Sequence, residues 1–162
     1  MQIRPAFPGE YKLLGDLAAA AYLRIPGMSK HPDHIDELRD VAARAVHNTI
    51  LVALVADRPT GLVTYVPDHS GPLAEFDDPH AAGIRGLAVD PAYQRQGIGR
   101  ALTVACIDLA RRDGKSRVIL HTTDELVAAH ALYRSMGFAR DQAHDFTGGG
   151  VKLMSYVYSL RD

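Results

Sequence analysis

Gly86-Leu87-Ala88-Val89-Asp90-Pro91-Ala92-Tyr93-Gln94-Arg95-Gln96-Gly97-Ile98-Gly99-Arg100, continuing to Arg112, is the stretch that decides the fold. Leu87-Ala88-Val89 ends an apolar strand, and Asp90 to Tyr93 is a turn. A helix follows, in which Ile98, Leu102, Ala105, Cys106 and Leu109 recur at helical spacing. Gly97 and Gly99 carry no Cβ to hold a ligand away from the backbone. The first helical turn presents amides without intrahelical acceptors, at the positive end of the macrodipole, which suits a phosphate. Arg95 and Arg100 add full positive charges beside it.

Two nucleotide motifs are excluded. No Gly-Lys-Ser/Thr follows at the spacing of a Walker loop, and Gly97-Ile98-Gly99-Arg100-Ala101-Leu102 places leucine where a dinucleotide fingerprint needs its third glycine. Gln94-x-x-Gly97-x-Gly99 after a strand ending Leu-Ala-Val instead resembles the GNAT superfamily of acyl-CoA-dependent N-acyltransferases. A second block, Ala129-His130-Ala131-Leu132-Tyr133-Arg134-Ser135-Met136-Gly137-Phe138, resembles the A-x-x-L-Y-x-x-x-G-F segment of that family. The sharp part of the resemblance runs from Ile84 to Phe138.

The resemblance implies an α/β fold, a single domain over residues 1–162. Its sheet would be mixed and mostly antiparallel, splayed between two central parallel strands, with helices on both faces. Acetyl-CoA, as acyl-donor substrate, would enter a V-shaped opening between the strands Gly83–Val89 and Arg117–Thr122. Its pantetheine amides would pair with Leu87 and Val89 as an added strand would. The diphosphate would sit on the amides of Arg95, Gln96, Gly97, Ile98, Gly99 and Arg100, with Gln94 at the entry.

Attack of an amine on a thioester builds negative charge on the carbonyl oxygen, which a fixed donor must face. By resemblance that donor is the backbone N–H of Ala88 or Val89, and Tyr133 gives its phenolic proton to the departing thiolate. The alternative for Tyr133 is packing with Ala129, Leu132 and Met136 on a buried helix face. A lysine-like acceptor of pKa ~10.4 is neutral in roughly one molecule in 2,500 at pH 7, a cost of about 4.6 kcal/mol, whereas an α-amine near ~7.8 costs about 1 kcal/mol. The need for a base therefore depends on the acceptor. Many relatives place a glutamate on or just before the central strand; here Gly83, Ile84 and Arg85 stand there, and Glu75, His80 and His121 are the candidates. Seven residues before Tyr133, where many relatives have a cofactor-binding asparagine, this chain has Leu126, with Thr123 or Asp124 as substitutes.

Outward from this block, Ile3 to Ala6 reads as a first strand, Glu10 to Leu23 as a helix and Asp36 to His47 as a second. Ile50 to Ala56 and Leu62 to Val66 form a hairpin about a turn at Asp57 to Gly61. Pro67 to Ala82 is a long polar loop, a candidate wall of the acceptor pocket. Arg117 to Thr122 is a strand, and Asp124 can cap a helix running to Met136. Phe138 begins a last hairpin with its return strand at Leu153 to Leu160. The connection Asp141 to Val151, with Gly148-Gly149-Gly150, should be mobile.

The chain has 162 residues, 47% of them hydrophobic, enough for one domain with a substantial core. The lone Cys106 excludes an internal disulfide framework and fits a reducing cytoplasm. The amino terminus has no basic segment leading into an apolar run, and no span approaches the ~20 apolar residues a bilayer needs. A net charge of −1 argues against nucleic acid as a partner. A local patch of Arg95, Arg100, Arg111 and Arg112 would suit CoA phosphates better. His31 and His34 lack further ligands in register, so no metal is expected, and His130 and His144 read as solvated. Glu75, Asp77 and Asp78 can attract a cationic amine. The expected partner is an amine acceptor whose identity lies in Ile25–His34, Pro67–Ala82 and Asp141–Val151; a homodimer is possible by resemblance. The competing readings are a noncatalytic acyl-CoA sensor and an interaction module on the same shell.

Overall fold

The computed structural model describes residues 1–160. Eight strands and five α-helices follow one another as β1 (Gln2–Pro5), α1 (Tyr11–Leu23), α2 (Pro32–Arg39), α3 (Val41–Ala45), β2 (Thr49–Val55), β3 (Arg58–Val66), β4 (Ala81–Val89), α4 (Ile98–Arg112), β5 (Arg117–Thr122), α5 (Val127–Ser135), β6 (Ala139–Arg140), β7 (Phe146–Gly148) and β8 (Val151–Ser159). The sheet order is β1-β2-β3-β4-β5-β8-β6, with β7 paired to β8. Among the described residues only β4 and β5 are parallel neighbours; the other pairings are antiparallel. The expected mixed sheet with helices on both faces is thus present.

β2 reads as an uninterrupted apolar run because both of its faces are covered. Strand residues alternate between faces, so Leu51 and Ala53 pack with Ile98, Leu102 and Cys106 of α4. Ile50, Val52 and Leu54 pack on the other face with Leu14, Ala18 and Ala19 of α1 and Ile35 and Leu38 of α2. Cys106 is fully buried in the first of these cores, and burial pushes its thiol pKa up, away from the reactive thiolate.

The pairing of β4 with β5 runs from Ala81↔Arg117 to Ile84↔Leu120 and then stops. The cause lies in β4. Between the pairs Thr64↔Arg85 and Leu62↔Ala88, β3 advances two residues while β4 advances three. The extra residue makes a bulge, and Gly86, with φ +63°, supplies the left-handed backbone it requires. Beyond the bulge the two parallel strands part.

Several boundaries differ from those read in the sequence. The β2–β3 turn is the two-residue Ala56-Asp57, both with positive φ (50° and 63°), so Pro59, Thr60 and Gly61 belong to β3. These angles give the twist that suits a two-residue hairpin. The second predicted helix starts earlier, with Pro32 in its first turn, and breaks at Asp40, whose carboxylate caps α3 by accepting from Ala43 N at 3.1 Å. Asp124 does not cap α5; Leu126 holds that position without a side-chain cap. The connection expected to be mobile instead carries β7, which pairs Phe146↔Leu153 to Gly148↔Val151 around left-handed Gly149 and Gly150. No helix among the described residues is long and apolar enough to cross a membrane.

Candidate active site

β4 leads directly into the predicted ligand turn. Asp90 fixes its start: the carboxylate accepts from Ala92 N at 2.9 Å, and the backbone N–H donates to Thr60 O at 2.8 Å. Gln94 Nε2 reaches back to Val89 O at 3.4 Å. Arg95 (φ 65°) and Gly97 (φ 80°) are both left-handed, and Gly97 is the N-cap of α4. Gln94 to Gly97 are exposed, and a Cβ built on Gly97 would meet nothing within 4 Å. This is open space above amides, the form a phosphate cradle needs. Ile98 is buried, so its side chain anchors the turn and leaves only its backbone for a ligand.

The start of α4 also joins β4 to α5. A Cβ on Gly99 would lie 3.6 Å from Leu132 and 3.9 Å from both Leu87 and Val89. Arg100 Nη2 donates to Ser135 Oγ at 2.7 Å. The predicted basic patch is smaller than expected, because Arg111 and Arg112 end a helix of 15 residues, about 20 Å from its first turn at a rise of 1.5 Å per residue.

Tyr133 lies on α5 and is 5% exposed, its ring against Phe138 and Tyr156 with centroids 5.5 and 6.3 Å away. Its hydroxyl has no hydrogen-bond partner among the described residues, and burial holds its pKa well above the ordinary phenol value. The ring thus packs against residues beyond its own helix, and the hydroxyl keeps its proton. Nearby, the Tyr22 hydroxyl donates to Leu87 O at 3.1 Å, occupying one acceptor position on the strand expected to pair with pantetheine.

A cavity of about 480 Å³ opens at the parting of β4 and β5. Gly86, Thr122 and Thr123 form its floor, α2 and the segment before it one wall, and the β7–β8 hairpin another. Glu75 and His121 both line it; His80 does not, and is exposed. Arg85 bridges two carboxylates there, Nε to Glu75 Oε1 at 3.2 Å and Nη2 to Glu37 Oε1 at 3.1 Å. Burial raises the Glu75 pKa, with Arg85 opposing, and burial lowers that of His121. His121 Nε2 contacts His144 O at 3.2 Å, so Nε2 carries the proton, and Nδ1 faces Glu75 Oε1 at 4.0 Å. Of the acids of this loop, Glu75 lines the cavity, whereas Asp78 is tied to Arg117 and to His80 N.

The family model described as the Acetyltransferase (GNAT) family matches residues 15–138. The chain belongs to that family. Among curated relatives, the [ribosomal protein bS18]-alanine N-acetyltransferase of Escherichia coli strain K12 is 46% identical over 57 residues, 35% of this chain and 38% of that protein. The mycothiol acetyltransferase of Kocuria rhizophila is 41% identical over 64 residues, 40% of this chain and 21% of that protein. The chain thus spans no more than 38% of the length of these curated relatives. The PaiA N-acetyltransferase of Thermoplasma acidophilum, solved in complex with coenzyme A, has the same fold: TM-score 0.73 at 16% identity, covering 97% of this chain and 98% of that one.

In this GNAT domain several cavity residues lie outside the family motifs. Tyr22, Arg44, His31 and His34 all line the cavity. The two histidines of the His-x-x-His spacing both lie at the site, and no group of three metal-capable side chains occurs among the described residues. Burial lowers the His34 pKa, and its ring meets Tyr22 edge-on at 6.1 Å. His130 is not solvated as expected. It is buried between Tyr156 Oη, 2.6 Å from Nδ1, and Thr123 O, 2.9 Å from Nε2, and so holds the cavity floor in place. Of the two residues weighed against the missing asparagine, Asp124 is exposed and Thr123 is buried and lines the cavity.

Proposed function

We propose that this chain is an acetyl-CoA-dependent N-acetyltransferase that acetylates a primary amine by direct attack in a ternary complex. The observation that carries the reading is the parting of β4 from β5 after Ile84 and Leu120, with the open Gly97 turn following one strand and Tyr133 following the other.

Acetyl-CoA supplies a thioester carbonyl: the amine nitrogen bonds to its carbon as the carbon–sulfur bond breaks. Amides of residues 95–100 hold the diphosphate, and the N–H of Ala88 or Val89 faces the developing oxyanion. Tyr133 donates its phenolic proton to the thiolate. Glu75 takes the proton that the amine loses, directly or through water, and its raised pKa makes it a stronger base than an exposed carboxylate. The same reading places the enzyme in the cytoplasm, where its buried cysteine stays reduced, and admits a homodimer.

Thermal unfolding with acetyl-CoA tests it. Ligand at one hundred times Kd stabilises by about 2.7 kcal/mol, roughly 5–10 °C for a domain of this size. The shift is expected in the wild type and not in Gly97→Glu, followed by amine-dependent release of CoA thiol. No shift in a folded wild type sinks the proposal. A shift with no turnover of any amine favours a sensor.

A further inference from the structure

Arg44 is 4% exposed, lines the cavity, and has no carboxylate within 4.0 Å among the described residues. Among the described residues its bonds are to neutral acceptors only, Nη1 to Thr64 Oγ1 at 2.8 Å and Nη2 to Leu38 O at 2.6 Å, and Nε has no partner there. Burying an unpaired cation is costly, and such a group is retained where something completes it. The neighbouring guanidinium of the site is already paired, since Arg85 binds Glu75 and the exposed Glu37. On the same floor, the hydroxyls of Thr122 and Thr123 are buried and have no hydrogen-bond partner among the described residues.

We propose that the acceptor is a small amino acid, its carboxylate set against Arg44 and its amine facing Glu75. The inference rests on the acetyltransferase reading and narrows its substrate. Arg85, which binds Glu75, immediately precedes Gly86, and Arg44 Nη1 lies against Gly86 itself. The anion-seeking and cation-seeking groups therefore meet at a single bulge. An α-amino acid carries its amine and its carboxylate on one carbon, the pairing that such a convergence would recognise. A lysine side chain of a protein brings no such carboxylate, and a peptide amino terminus has lost it to an amide bond. A volume of about 480 Å³ is within the range of small-molecule pockets, and Tyr22, Leu126, Phe146 and Leu153 offer apolar surface to a side chain.

The test compares, for each of the twenty side chains, the free amino acid, its amide and the corresponding decarboxylated amine, following thiol release from acetyl-CoA. At least one amino acid is expected to exceed its amide about tenfold or more in kcat/KM, chiefly through KM. Arg44→Gln should collapse that ratio towards one, and Arg44→Lys should keep part of it. Acetyl-CoA-dependent thermal shifts report whether each variant is folded, and the wild-type comparison stands even if neither is. Amides or decarboxylated amines used as well as the acids overturn the inference, as does a ratio unchanged in folded Arg44→Gln. Acetyl-CoA binding with no amino acid accepted also overturns it and leaves the family chemistry standing. Failure to bind acetyl-CoA would instead bring down the underlying reading.

Discussion

A side-chain carbon built on Gly86 would fall inside the van der Waals envelope of Arg44 Nη1. The bulge that parts β4 from β5 and the buried guanidinium under it are therefore one device: glycine is needed both for the left-handed φ of +63° and for the space. Gly86→Ala should lose about 2 kcal/mol or more, from left-handed strain and from displacing a bonded Arg44. That is roughly 4–8 °C in Tm. A calorimetric scan checks it, and an unchanged Tm would mean that the bulge relaxes without cost.

Tyr133→Phe removes a hydroxyl that bonds nothing among the described residues and keeps the ring against Phe138. Stability should stay within about 0.5 kcal/mol. If the phenol protonates the leaving thiolate, kcat should fall about a hundredfold with KM little changed. Steady-state kinetics beside a melting curve separates the two effects. Equal loss of stability and rate would mark Tyr133 as a packing residue.

Glu75 and His121 approach one another in pKa, the acid raised from its usual range and the imidazole lowered from its own, each by burial. A base works only when deprotonated, so kcat/KM should fall as pH falls through the pKa of whichever group serves. Glu75→Gln should abolish that acidic limb and lower the plateau by about 10²-fold or more. His121→Gln should leave the limb in place. The reverse pattern would assign the base to His121.

The legible part of this molecule is the part whose local chemistry permits few alternatives. Gly97 is readable because a left-handed φ of 80° ahead of a helix favours glycine, and the predicted strand, turn and helix all formed. Arg44 was not readable. In sequence it is one more arginine on a helix, and its burial arises only when α3 packs on β2 and its side chain reaches Thr64 on β3. His130 failed for the same reason, since its partner Tyr156 lies 26 residues away on β8. The β7 strand was obscured by three consecutive glycines, which read as looseness but serve a tight turn.

Arg140 holds Asp145 through two parallel bonds of 2.7 Å, and the same carboxylate accepts from Ser155 N at 2.8 Å, so one acid ties β6, β7 and β8 together at the cavity wall. The guanidinium, then the backbone bond, hold the Asp145 pKa well below its usual range. A depressed folded-state pKa stabilises above the unfolded value of about 3.9, and that contribution is lost as pH falls through the folded value. The Tm difference between the wild type and Asp145→Asn should therefore be steady from about pH 5 to 8 and shrink below about pH 4. Acceptor KM should rise in the variant, because Phe146, Val151 and Leu153 on that hairpin line the cavity. Melting curves across pH read the first effect. A difference that persists undiminished in acid would show that the carboxylate contributes by shape and hydrogen bonding alone, without its charge.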